Sequence, residues 1–210
     1  MSLFAFDAEQ RRMVRSLLLV AALCTLLLAV VDRFTHARVE AAKLEALQHS
    51  LLEVLPAHAN DPVAAAFVFG EGKEQRTLYP AQDAAGQLLA VAWKVTAPDG
   101  YAGNIEILLG VDPYGAVTAM RIVSHHETPG LADRLTEDAQ WLAAFAGKRL
   151  DNANWAVKKD GGQFDQFAGA TISPRAVVKA VKGGLQWYAA QRELLLARFA
   201  PPAPASEVAP

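Results

Sequence analysis

The 210-residue chain contains one cysteine, Cys24. That excludes a disulfide within the chain, an iron–sulfur cluster or cysteine-ligated zinc built from this chain alone, and haem attachment through Cys-x-x-Cys-His. There is no Gly-x-Gly-x-x-Gly, no Gly-Lys-Ser/Thr and no His-Glu-x-x-His, so the common nucleotide loops and a zinc-protease helix are absent. Charge of one sign does not accumulate. Twenty Lys and Arg stand against 22 Asp and Glu, for a net charge of −2, with neither a basic stripe nor an acidic block. This balance argues against a nucleic-acid partner and against an acidic disordered tail. Internal repeats are also missing. If such a chain carries electrons, its cofactor is organic or is held by something other than cysteine.

What the chain does have is apolar residues, 52% of the total, with part of the excess in one run, "SLLLVAALCTLLLAVV", residues 16–31. Sixteen helical residues rise roughly 24 Å, short of a hydrocarbon core of roughly 30 Å. Met13, Val14 and Phe34 extend the run, and Arg15 and Arg33 can snorkel to the two interfaces. Residues 13–34 therefore read as one transmembrane helix. Arg11, Arg12 and Arg15 precede it and favour a cytoplasmic N-terminus. In a bacterium the rest of the chain would then lie outside the inner membrane. The competing reading is a cleaved signal peptide, since Val39-Glu40-Ala41 loosely fits a small-x-small site. Those residues sit inside a charged, helix-like stretch, which disfavours cleavage.

Beyond the apolar run, residues 38–55 carry a helical stripe of Val39, Ala42, Leu44, Leu47, Leu51, Leu52 and Leu55, stopped by Pro56. Residues 61–76 are ambiguous, with a short strand in "AAAFVFG". Strands are expected over 88–96, 104–111 and 117–124, the last two joined by the turn "DPYG". Residues 131–145 read as mostly helical, 155–165 as a strand interrupted by Gly161-Gly162, and 174–198 as the last helix. The Pro/Ala-rich end reads as disordered. The expected organisation is a cytoplasmic segment 1–12, the membrane helix 13–34, a helical stalk and first part of the outer domain 35–97, a main domain 98–198 and a tail 199–210. Strands and helices mix without regular alternation, so the class is α+β.

Three segments could carry chemistry. Gly100-Tyr101-Ala102-Gly103 allows close backbone approach but equally reads as an ordinary turn. His125-His126-Glu127-Thr128-Pro129-Gly130-Leu131 suggests a metal or acid/base site at first sight. Adjacent histidines on a strand point to opposite sides, however, and suit one ion poorly. The polar turn 127–130 could instead hydrogen-bond the edge of a planar heterocycle. The third segment is "FDQFAGATISPRAVVKAV". Ser173-Pro174 reads as the N-cap and first residue of the last helix. Thr171 then sits at a helix mouth, where free N–H groups and the helix dipole favour a phosphate. A hydroxyl placed there could be esterified to one. No residues group into an acid, base and nucleophile around a substrate pocket.

Taken together, "GYAGNIEILLGVDPYGAVTAMRIVSHHETPGLADRL" and "KKDGGQFDQFAGATISPRAVVKAV" resemble the FMN-binding domain found in the G subunit of the Rnf/Rsx electron transport complex. The resemblance covers roughly residues 98–187 and fits a single N-terminal membrane anchor. It implies an extracytoplasmic domain carrying FMN, which a flavin transferase moves from FAD onto Thr171 as a phosphoester. Asp165 matches the leading aspartate of the transferase recognition pattern Asp-x-x-(Ser/Thr)-Gly-Ala-Thr, and Gly169 and Ala170 match its end. Ala168 stands where Ser or Thr is usual, and Ala132 where many relatives have glycine. Glu127, Thr128, Pro129, Gly130 and Leu131 match the turn beside the isoalloxazine. Gly100, Tyr101 and Gly103 match a segment near the same pocket. The resemblance further implies a single-electron relay, no metal, and membrane and iron–sulfur subunits as partners in an inner-membrane ion pump. Its alternatives are the C subunit of the sodium-pumping NADH:quinone reductase, which shares the domain, and a flavin-free membrane scaffold.

Overall fold

The computed structural model describes residues 7–128, 133–167 and 169–199. Pro129, Gly130, Leu131, Ala132 and Ala168, and the tail 200–210, lie outside the described residues. The chain divides into two compact units, Met1–Leu47 and Gln48–Pro210.

Helix α1, Ala8–Val54, is unbroken over 47 residues. Neither glycine nor proline occurs within it, so nothing interrupts its hydrogen-bond ladder, and Pro56 follows its end. It unites the apolar run and the stripe of residues 38–55 in one helix. Its most apolar 18-residue window has a mean hydropathy of 2.5, so the helix is long and apolar enough to cross a membrane.

The second unit is an antiparallel meander of β1 (Phe67–Phe69), β2 (Arg76–Gln82), β3 (Leu88–Ala97), β4 (Ile105–Val111) and β5 (Val117–Ser124), in that spatial order. The β4–β5 turn is anchored by Asp112, whose carboxylate accepts from the N–H groups of Tyr114 and Ala116, both at 2.8 Å. Strand β2, over residues the sequence reading leaves almost wholly unassigned, contains Pro80. The three residues of β1 pair only with 76–78, so Pro80 lies on a free edge. There Asn60 closes the edge, donating to the Pro80 carbonyl at 2.8 Å and accepting from the N–H of Gln82 at 2.7 Å.

Two expectations are corrected. The helix expected over 131–145 is, over its described residues from 133 on, two short helices, α2 (Asp133–Glu137) and α3 (Ala139–Ala143). They break at Asp138, whose side chain accepts from the N–H of Trp141 and caps α3. The strand expected over 155–165 is a loop with a 3-10 turn, Lys158–Asp160, closed by Gly161 at φ 82°. Only a single bridge, Val157 to Phe164, survives. Trp155, Val157 and Phe164 bury into an aromatic cluster with Phe145 instead of a sheet ladder.

Helix α4, Ile172–Arg198, covers one face of the sheet. Its buried Val177, Val181, Leu185 and Tyr188 join Trp93, Val95 and Leu109 in the main core. Each large side chain so buried contributes about 1.5–3 kcal/mol. The other face presents Ala81, Ala90, Ala92, Leu108 and Gly110, and the last turn of α1 meets it at Gly110 through Val54.

Candidate functional site

The motif loop reaches α4 through a series of fixed points. The Trp141 indole N–H donates to the Asp165 carbonyl at 2.8 Å, and the Phe167 ring packs on Trp141 at 5.2 Å between centroids. The Arg134 guanidinium lies 5.0 Å over Phe167. Gly169 then turns the chain at φ 78°, a left-handed conformation open to glycine at no steric cost, and the N–H of Ala170 closes back on the Phe167 carbonyl. Arg175 in the first turn of α4 forks onto Asp160 at 2.6 and 2.9 Å, pinning the loop from the other side. That guanidinium holds the Asp160 carboxyl below the usual carboxylate range.

This geometry delivers Thr171 as the N-cap of α4, two residues before the expected cap. Ser173 lies inside the helix, with Pro174 tolerated in the first turn because its missing N–H would have no partner there. The Thr171 hydroxyl caps no backbone N–H, and among the described residues it makes no hydrogen bond. It lines a pocket of about 150 Å³ with Tyr101, Glu127, Thr128, Gly169, Ala170, Ile172 and Ser173. Pockets that enclose a whole small molecule measure about 300–1,000 Å³. An uncommitted hydroxyl at the positive end of a 27-residue helix fits a phosphate ester. Tyr101, 68% exposed at the rim, offers an aromatic surface beyond it.

Glu127, just past the end of β5, is only 7% exposed. Its Oε1 accepts from the N–H of Ala102 at 3.1 Å and its Oε2 from the Ser173 hydroxyl at 2.6 Å. A Cβ on Gly100 would stand 2.2 Å from the Gly103 carbonyl and 2.7 Å from Glu127 Oε1. Glycine at position 100 therefore lets the turn close on the carboxylate. The Nδ1 of His125 accepts from the Glu127 N–H at 3.3 Å, while the Glu127 carboxylate oxygens are taken by Ala102 and Ser173. Among the described residues no three potential metal ligands cluster.

The structure thus gathers Tyr101, Glu127, Thr128, Gly169, Ala170 and Thr171 at one pocket, with Gly100 and Gly103 behind its wall. Asp165 is not in that wall. Its carboxylate pairs with Lys158 at 2.6 Å, and it borders a second hollow with Arg134, Asp138, Trp141 and Phe167. Pro129, Gly130, Leu131 and Ala168 fall outside the described residues. Ile172 and Ser173 join the site, although the sequence reading does not place them there. For Ser173 the serine–proline pair signals a helix start, but nothing local signals a partner 46 residues away.

The FMN-binding domain family matches residues 100–186, and the RnfG N-terminal region matches residues 11–54. The G subunit of the ion-translocating oxidoreductase complex of Pseudomonas aeruginosa is 43% identical over 205 residues, covering 90% of this chain and 95% of that protein. The corresponding G subunit of Shewanella oneidensis is 40% identical over 187 residues, covering 84% and 88%. The crystal structure of Shewanella oneidensis NqrC aligns with a TM-score of 0.48 at 23% identity, over 66% of this chain and 78% of that one. On the length and level of the first two matches, the chain belongs to the family formed by the G subunits of ion-translocating oxidoreductase complexes.

Proposed function

We infer that the chain is the membrane-anchored flavoprotein subunit of an ion-translocating electron transport complex, with FMN joined to Thr171 by a phosphoester. Family membership and the FMN-binding match support the first part. The observation that carries the second is the uncommitted Thr171 hydroxyl at the mouth of α4, inside the pocket built with Tyr101, Glu127 and Thr128. Attachment from FAD forms the bond from Thr171 Oγ1 to the FMN phosphorus. It breaks the pyrophosphate link, with AMP as leaving group and the threonine proton lost. A flavin transferase performs this step, and Asp165, outside the pocket, is available for that enzyme to read.

Bound FMN would supply electron transfer one electron at a time. The chain's own residues position it. The N-terminus of α4 would stabilise the phosphate charge and Thr171 would hold it, with Thr128 and Tyr101 lining the same pocket. Residues 13–34 anchor the protein. The arginines at 11, 12 and 15 orient it with the N-terminus in the cytoplasm and the flavin domain in the periplasm. Its partners are the other membrane and iron–sulfur subunits of the complex.

The test is flavin fluorescence of the denatured protein on a gel, after export and co-expression with a flavin transferase. Wild type is expected to glow and Thr171→Val to be dark. A dark wild type, with the transferase active on another substrate, overturns the covalent assignment and leaves a scaffold.

A further inference from the structure

Glu127 is the only buried charged side chain among the described residues, and it touches the buried hydroxyl of Ser173. Burying a carboxylate is costly unless hydrogen bonds satisfy it. Here both oxygens are used, and each ties a different segment. Oε1 holds the Ala102 N–H, in the turn that carries Tyr101. Oε2 holds Ser173 Oγ, in the first turn of α4 two residues from Thr171. The turn, the segment after β5 and the helix mouth are the three walls of the pocket, and they come from distant parts of the chain. Gly100 closes onto the same carboxylate with no space for a side chain. The two first-turn hydroxyls are thereby distinguished. Ser173 is committed to Glu127, and Thr171 is left free to face the pocket.

We propose that Ser173 is a positioning residue of this pocket, acting through Glu127. Its hydroxyl locks the Tyr101 turn across from the Thr171 helix mouth and so sets the width of the gap the FMN phosphate and chain pass through. The proposal rests on the flavin reading of the pocket. Ser173 touches neither the phosphoester nor the reacting oxygen in this role. It fixes the wall opposite them.

The test uses full-length protein in detergent, co-expressed with the transferase. Ser173→Ala, Ser173→Thr and Glu127→Gln are compared with wild type. Three readouts are taken: the time course of covalent attachment, the visible circular dichroism of the bound flavin and its midpoint potential. Ser173→Ala removes a hydrogen bond to a charged group, and attachment is expected to slow about tenfold. The flavin dichroism, which reports a fixed asymmetric environment, is expected to fall to less than about half. Ser173→Thr keeps the hydroxyl and is expected to restore both. Should Ser173→Ala not accumulate, Glu127→Gln reads the same lock, since it replaces two hydrogen bonds to a charged carboxylate by weaker neutral ones. A folded Ser173→Ala or Glu127→Gln with wild-type attachment, dichroism and potential overturns the proposal. So does a loss of stability alone with those three unchanged. A wild type without flavin on Thr171 would be a failure of the flavin reading, and the same gel separates the two.

Discussion

The two faces of the sheet are covered by helices in different ways. On the α4 face, large side chains lie between helix and strands: Trp93 stacks with Tyr188 at 5.9 Å and meets Trp187 at 5.4 Å. On the other face the strands carry alanines and Gly110, and the last turn of α1 comes down to backbone distance. The Thr118 hydroxyl donates to the Val54 carbonyl at 2.7 Å, satisfying one of the orphan acceptors at the end of α1, and Arg121 pairs with Glu53. Each face has a glycine at the point of closest approach, Gly110 on the strand and Gly184 on the helix. Their neighbours differ. Around Gly110 a Cβ would stand 2.4 Å from Thr118 Oγ1, 2.6 Å from Val54 Cγ1 and 2.7 Å from the Val54 carbonyl oxygen. Around Gly184 it would meet only the ends of Leu109 and Val95 at close range, at 2.9 and 3.1 Å. Contact through side chains can adjust, whereas contact through backbone cannot.

The sharpest way to break that contrast is Gly110→Ala. The methyl collides with a carbonyl that is already hydrogen-bonded, so the last turn of α1 must lift from the sheet. A loss of about 3 kcal/mol or more is expected in urea unfolding followed by tryptophan fluorescence. A loss below about 1 kcal/mol would mean the α1 contact yields as readily as the α4 face.

The α4 face has its own sensitive point, which is pH-dependent. Tyr188 is buried and donates to the Asp112 carbonyl at 3.0 Å, and burial pushes its phenol up to about 12. A phenol raised above its unfolded value of about 10 stabilises the fold fully below about pH 10. That stability drains away as pH rises from about 10 through 12, by roughly 2–3 kcal/mol for this one group. Tyr188→Phe is expected to lose about 1 kcal/mol near neutral pH and to flatten the alkaline decline. If wild type and variant decline in parallel over that alkaline range, another group is responsible.

The same contrast separates what could be read in the sequence from what could not. Strands β3 to β5 were legible because Val91, Trp93, Val95 and their counterparts alternate with polar or small residues, and Asp112 marks the turn. The gathering of Tyr101, Glu127, Thr128 and Thr171 was legible only through the family pattern, since no local periodicity links them. The back of the sheet was not legible. Ala90, Ala92 and Gly110 look like weak strand positions until Val54 arrives from far along the chain. Strand β2 was hidden by Pro80, whose tolerance depends on how short β1 is. The true cap of α4 was hidden because Ser173 spends its hydroxyl on Glu127, a partner that only tertiary structure supplies.

The smallest expected effect is Gly184→Ala, and it tests the adjustable face directly. Alanine in a helix interior gains about 0.8–1 kcal/mol over glycine in intrinsic propensity. Against that stands the displacement of Leu109 Cδ2 and Val95 Cγ2 by a few tenths of an ångström, in a core where overpacking costs about 1–3 kcal/mol. Leu109 has rotameric freedom at the atom concerned, so the cost should fall at the low end and nearly cancel the gain. The net change is expected within about 1 kcal/mol of zero, several-fold smaller than for Gly110→Ala under the same conditions. Equal losses at the two glycines would show that α4 is held as rigidly against its face as α1 is against the other. The Trp93, Trp187 and Tyr188 cluster would then act as a fixed spacer and not as compliant packing.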